Sequence, residues 1–213
     1  MDDHLPPCFP LNTALVANLE LDLAGYDLPV FTPLLQRGVF IRIDQEATVR
    51  SFLCQALELA ADFVEQGIST IFLNGRPVDS LEAKLRHGDT LALSAAMPGL
   101  VGATMRRGGT VATLRSNISH REEERLEEGD MEGFILVKLF NTLIPALGPL
   151  LLKRGVLVGR DILKELLQDP DFWERCPRVT LAGEQVVAVR GGGFPWPETE
   201  IWIDLRIGSA GSG

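Results

Sequence analysis

The chain has 213 residues, 46% of them hydrophobic and 23% charged, which is ordinary globular composition and enough length for one large or two small domains with a buried core. With 20 basic against 29 acidic residues the net charge is −9, and no concentrated basic face is visible, so nucleic acid is excluded as an expected partner. Cys8, Cys54 and Cys176 are odd in number and far apart, which fits neither a disulfide framework nor a metal spacing and predicts reduced thiols in the cytosol.

The start, "MDDHLPPCFP", has acids and prolines where a signal peptide carries a basic and then an apolar stretch, and predicts no export. From Leu15 to Leu23 apolar residues alternate, with Leu15, Ala17, Leu19, Leu21 and Leu23 opposite Asn18, Glu20 and Asp22, the pattern of a strand with one buried face. Gly25, Pro29 and Pro33 predict a turn-rich interval. A second alternation sets Val39, Ile41 and Ile43 against Phe40, Arg42 and Asp44, and the two strands are expected to pair as an antiparallel hairpin. The period then changes. Val49, Phe52, Leu53, Ala56, Leu57, Ala60, Phe63 and Val64 recur at helical spacing, with Thr48 placed to cap the start and Gly67 to end the helix in the left-handed conformation. Ile71 and Leu73 lead into Asn74-Gly75, a tight-turn dipeptide, with Pro77 predicting a short or edge return strand. "LEAKLRHGD" makes a turn before "TLALSA", which alternates through Leu91 and Leu93.

The order strand, strand, helix, strand, strand describes an open sheet with one helix across it. Thr48-Val49 opening the helix, the turn "LNGRPV", and "LRHGDTLAL" followed by a glycine-bearing tail resemble the β-grasp sulfur carriers, the small subunit of molybdopterin synthase and the thiamine-pathway carrier. The resemblance covers about residues 13–109 and implies a ubiquitin-like β-grasp domain there. It also draws attention to Gly108-Gly109, because the carriers end on a diglycine whose free carboxylate is adenylated and then turned into a thiocarboxylate. In this chain Gly109 is bonded to Thr110, and the tail "AAMPGLVGATMRRGG" is longer than the carriers'. Carrier chemistry therefore requires a cut after Gly109. The clustered cysteines of β-grasp ferredoxins are absent.

Beyond Gly109, "TVATLRSNISH" can extend as a strand, and "REEERLEEGDME" reads as a solvated linker or exposed helical turn. The stretch "FILVKLFNTLIPALGPLLLKR" contains Lys138, Asn141, Pro145 and Pro149, so a buried, broken helix is expected rather than a membrane span. Its face is Leu136, Leu139, Phe140, Leu143 and Leu147, with Pro145 ending or kinking it. "GVLVGRDILKELLQD" predicts a short apolar run and a helix with Asp161 in its first turn. "RVTLAGEQVVAV" and "EIWIDLRI" are strand candidates, the latter with Ile201, Ile203, Leu205 and Ile207 on one side. "TLAGEQV" echoes "FLNGRPV" with its glycine in step, as a repeat or as two similar hairpins.

The fold expectation is α+β: a β-grasp domain over 13–109, a smaller α+β region over 110–207 and a flexible tail at 208–213. Arg106, Arg107, Gly108 and Gly109 form the candidate partner- or anion-binding segment, with backbone amides and two guanidinium groups suited to a carboxylate or phosphate, or otherwise an inter-domain connector. The lysine followed by serine or threonine of a nucleotide-binding loop is missing. In "RGGGFPWP", Phe194 and Trp196 either pin the loop or offer a contact surface. His4, His87 and His120 stand apart from one another and from the cysteines, and no carboxylate pair sits in an apolar setting, so no catalytic residue, metal site or cofactor is expected. Asn117 in "NIS" is a glycosylation acceptor only in a secreted protein. The functional expectation is a cytoplasmic, non-enzymatic protein-binding or scaffold module whose partner is another protein, not a membrane. The alternatives are a carrier precursor cut after Gly109, and an enzyme holding an anionic substrate at the Arg106/Arg107 loop.

Overall fold

Thr48 shows how local chemistry starts an element here. Its hydroxyl accepts from the Ser51 N–H at 3.1 Å while the Ser51 hydroxyl accepts from the Thr48 N–H at 2.8 Å, a reciprocal cap that satisfies two otherwise orphan donors. The computed structural model describes residues 16–23, 28–44, 47–95, 99–109, 133–168, 172–173, 176, 178–186, 194–199 and 201–209. In chain order these form β1 (Val16–Leu23), α1 (Leu28–Arg37), β2 (Val39–Ile43), α2 (Val49–Ser51) with π-helical turns at Phe52–Ala56 and Phe63–Gly67, β3 (Thr70–Leu73), β4 (Arg76–Pro77), β5 (Thr90–Ser94), α3 (Gly99–Met105), β6 (Gly133–Phe140), α4 (Leu143–Arg154), β7 (Val156–Gly159), α5 (Arg160–Leu166), β8 (Arg178–Leu181), β9 (Glu184–Val186) and β10 (Trp202–Ser209). The fold is mixed α+β. Among the described residues no helix is long and apolar enough to cross a membrane. The segments 110–132 and 187–193, together with Cys8, His4, His120 and the end of the GSAGSG tail, lie outside the described residues.

The chain divides into two units, Leu28–Arg154 and a discontinuous one made of Met1–Asp27 with Gly155–Gly213. Neither boundary falls at Gly109, where the sequence suggested one. In the unit Leu28–Arg154 the strands lie in the order β4-β3-β5-β6-β2. β3 runs antiparallel to β4 and β5, β5 parallel to β6, and β6 antiparallel to β2. The core takes Val39, Ile41, Ile71, Leu91, Leu93, Ile135, Val137 and Leu139 from the strands and Phe31, Leu34, Phe52, Leu53 and Val64 from the helical segments. The Asn74-Gly75 turn and the "HGD" bend are stitched together. The buried Asp89 carboxylate accepts from the Arg86 N–H at 2.8 Å and from Asn74 Nδ2 at 2.7 Å, and Asn74 Oδ1 accepts from the Thr90 N–H at 2.9 Å.

In the other unit the order is β7-β10-β1-β8-β9, with β7 antiparallel to β10, β10 parallel to β1, β1 antiparallel to β8, and β8 antiparallel to β9. The same succession of orientations therefore occurs in both units. The echoing segments occupy corresponding edge hairpins: Asn74 and Gly75 have φ of 52° and 75°, Ala182 and Gly183 of 52° and 85°. Two positive φ values define the tight turn that suits strand twist, and glycine takes the second without a Cβ clash.

Several expectations are corrected. Residues 16–23 do not pair with 39–43; they lie between β10 and β8, and β6 stands beside β2 instead. Pro29 and Pro33 sit in α1 rather than in a turn, because Pro29 falls among the first-turn N–H groups that need no partner and the Pro33 ring faces outward, while Phe31, Leu34 and Leu35 bury one face. The helix expected from Thr48 to Gly67 is broken between Leu57 and Ala60, with Glu58 left-handed at φ 55° and Ala60 exposed. Gly67 has no positive φ; a Cβ there would stand 3.1 Å from the Phe63 ring. Residues 133–140 are a strand and not a helix: Ile135, Val137 and Leu139 are fully buried on alternate positions, and Pro145 lies in the first turn of α4. Ile201 is exposed ahead of β10, whose buried face is Ile203, Leu205 and Ile207.

Candidate functional site

The segment Arg106–Gly109 follows directly on α3, which occupies what read as a glycine-rich loop. Gly108 takes φ 64°, the left-handed turn that commonly ends a helix, and the Gly109 N–H reaches the Arg106 carbonyl at 3.3 Å. A Cβ on Gly109 would lie 3.2 Å from the Arg106 carbonyl oxygen and 3.3 Å from that of Ala103. Both glycines thus have local reasons: the first for its backbone angle, the second for its close approach to two carbonyls.

The two arginines part company. Arg107 is tied down along its whole length. Its backbone N–H donates to the Ser69 carbonyl at 2.8 Å, and its Nη2 donates to the carbonyls of Val64 at 2.9 Å and Glu65 at 3.1 Å. The same Nη2 stands 3.3 Å from Glu65 Oε2, and the side chain is only 9% exposed. Those carbonyls belong to the Phe63–Gly67 turn, whose C-terminal end carries partial negative charge, so the guanidinium caps it. Glu65 is shared with Arg50 at 3.4 Å, and Arg50 Nε meets Glu82 at 2.6 Å. The Glu82 hydrogen bond, opposed by desolvation, holds the Arg50 guanidinium above its ordinary pKa. Ser69, next to the Arg107 contact, donates its hydroxyl to the Ala95 carbonyl. Arg106 and Gly108 are exposed. Within the candidate segment, then, Arg106 and Gly108 face solvent while Arg107 and Gly109 are used internally.

This division gives an expected result. Arg107→Ala leaves the Val64 and Glu65 carbonyls without their charged donor and should cost ~1–3 kcal/mol. Arg106→Ala should stay within ~0.5 kcal/mol, as for other surface positions. Urea unfolding of the two single variants checks this, and equal midpoints for both would contradict it.

The remaining candidates are occupied by structure. His87 Nδ1 accepts from the Phe134 N–H at 3.2 Å, and a Cβ on Gly133 would meet His87 at 3.3 Å. Phe194 is buried and stacks on Trp173 at 4.7 Å with an 11° interplanar angle, and Trp196 meets it edge-on at 4.6 Å. Arg160 Nη1 donates to the carbonyls of Pro197 and Glu198, both at 3.0 Å, so this loop is pinned from two sides. Trp173, whose Nε1 donates to the Leu167 carbonyl at 3.0 Å, was not singled out by sequence, because nothing local marks it as Phe194's partner. Cys54 and Cys176 are free thiols, and among the described residues no group of three or more His, Cys, Asp or Glu could hold a metal ion. No family model matches the chain, and no curated protein or solved structure is significantly similar to it.

Proposed function

We propose that residues 28–154 are a permuted β-grasp, ubiquitin-like unit akin to the sulfur carriers, and that the protein is a non-enzymatic protein-binding or scaffold module of the cytosol. In support of the fold assignment, β2, the helical segment, the β3–β4 hairpin and β5 follow one another in the expected order, and β6 fills the place beside β2 expected for residues 15–23. The observation that carries the functional reading is the state of the diglycine segment. A carrier presents a free, extended Gly-Gly terminus, whereas here Gly108 and Gly109 are folded into a helix-end turn and Arg107 is held by Ser69, Val64 and Glu65. The enzymatic alternative needs both arginines for an anionic substrate, and Arg107 is already committed. The part of the segment that faces solvent, and that a protein partner meets in this reading, is Arg106 and Gly108. Free Cys54 and Cys176 suit a reducing compartment, and the net charge of −9 suits neither nucleic acid nor an anionic membrane surface.

Affinity capture of the full-length protein from its native host, alongside an Arg106→Glu variant, tests this reading. The expected result is full-length bait with a co-purifying protein whose affinity falls about tenfold in the variant, equivalent to ~1.4 kcal/mol. A bait species ending at Gly109, heavier by the exchange of oxygen for sulfur, would overturn the reading in favour of the carrier precursor.

A further inference from the structure

The two stretches of chain on either side of Gly109 each supply a central strand to the other's sheet. From the N-terminal side, β1 lies between β10 and β8, in register with β10 from Val16↔Trp202 to Leu23↔Ser209 and with β8 from Leu19↔Leu181 to Asp22↔Arg178. Leu19 and Leu21 are fully buried there, and Ala17 and Leu23 nearly so. From the C-terminal side, β6 lies between β2 and β5, in register from Val39↔Val137 to Ile43↔Gly133 and from Thr90↔Leu136 to Ser94↔Phe140, with Ile135, Val137 and Leu139 fully buried. Neither strand is at an edge. Withdrawing either would open two backbone ladders at once and carry its buried apolar side chains into water.

We infer that the peptide link after Gly109 is not what holds the protein together, and that a chain cut between Gly109 and Thr110 remains a tight two-fragment complex of residues 1–109 with 110–213. This holds whichever function is correct. Its consequence is for any processing at the diglycine: a cut would create a Gly109 carboxylate on an assembled two-chain body and would not release a free carrier domain.

The test uses the full chain with a protease recognition sequence and a flexible spacer inserted between Gly109 and Thr110. After cutting and gel filtration, both fragments should elute together at the volume of the uncut protein. Unfolding of the cut complex becomes a dissociation, so its Tm should rise with protein concentration, whereas that of the uncut chain should not. In the cut protein, Leu21→Asp in β1 combined with Val137→Asp in β6 should separate the fragments, because both bridging strands are then disabled. Fragments that elute apart, or a cut protein with no cooperative transition, would overturn the inference. Should the spacer itself prevent folding, residues 1–109 carrying an affinity tag and residues 110–213 without one are co-produced as two chains. Recovery of both in equal amounts supports the inference, and recovery of the tagged fragment alone overturns it.

Discussion

A chain ended after Gly109 is expected to yield no folded protein, although the sequence pattern places a complete domain within residues 13–109. The missing part includes β6, which runs between β2 and β5 and pairs with both. With it goes α4, which packs on α1 and ties to the Phe52–Ala56 turn through Arg154 Nη1, a donor to the Ala56 carbonyl at 2.8 Å. Ile135, Val137, Leu139, Leu143, Leu147, Leu151 and Leu152 would all be lost from the core. At ~1.5–3 kcal/mol for each fully buried aliphatic side chain these contribute ~10–20 kcal/mol. That equals or exceeds the ~5–15 kcal/mol by which a whole domain is stable. Thermal melting followed by circular dichroism should show no cooperative transition for residues 1–109. A sharp melt and a dispersed amide spectrum would mean that β6 is dispensable and that the domain does end at the glycine pair.

Phe52→Ala is expected to destabilise the full-length protein by ~3–5 kcal/mol, among the largest effects of any single truncation in the helical segment. Phe52 is 1% exposed and begins the first π-helical turn, directly after the Thr48–Ser51 cap has set its direction. Leu57→Ala should cost ~2–5 kcal/mol, since Leu57 is 4% exposed at the break where its N–H bonds back to the Phe52 carbonyl. With a urea dependence of ~1–3 kcal/mol/M, either change should move the unfolding midpoint by about 1 M or more. Ala60 separates the broken segment from a continuous helix. On an uninterrupted helical face Ala60 belongs to the core and Ala60→Glu would be severe; in the structure Ala60 is exposed, and the change should stay within ~0.5 kcal/mol. A large loss at Ala60 together with an unmoved midpoint for Phe52→Ala would show that the buried face has been assigned to the wrong residues.

The amino-acid sequence by itself determined what depends on near neighbours. The alternation in residues 16–23, 39–43 and 90–94 specified strands with a known buried face, and Leu19, Leu21, Val39, Ile41, Leu91 and Leu93 are in the core as that pattern requires. The Thr48 cap, the Asn74-Gly75 turn, the bend around Asp89 and the helix opened by Arg160-Asp161 were legible because a cap or turn is decided by hydrogen bonds within a few residues. Tertiary structure alone decided which strand lies beside which. β1 and β2 carry the same signal of one buried face, and that signal is silent on whether the neighbour is 20 or 180 residues away; burial against β10 and β8 satisfies it as fully as a hairpin would. Residues 133–140 show the same limit on the period itself. Leu136, Leu139, Phe140 and Leu143 mimic a helical face, but β2 and β5 offer two unpaired ladders, and pairing with both selects the extended form. In the candidate site, "RRGG" identified two adjacent cations with no local means of telling them apart. Arg107 is mostly covered and Arg106 exposed, and what holds Arg107 is a pair of carbonyls, those of Val64 and Glu65, more than 40 residues earlier at the end of a helical turn.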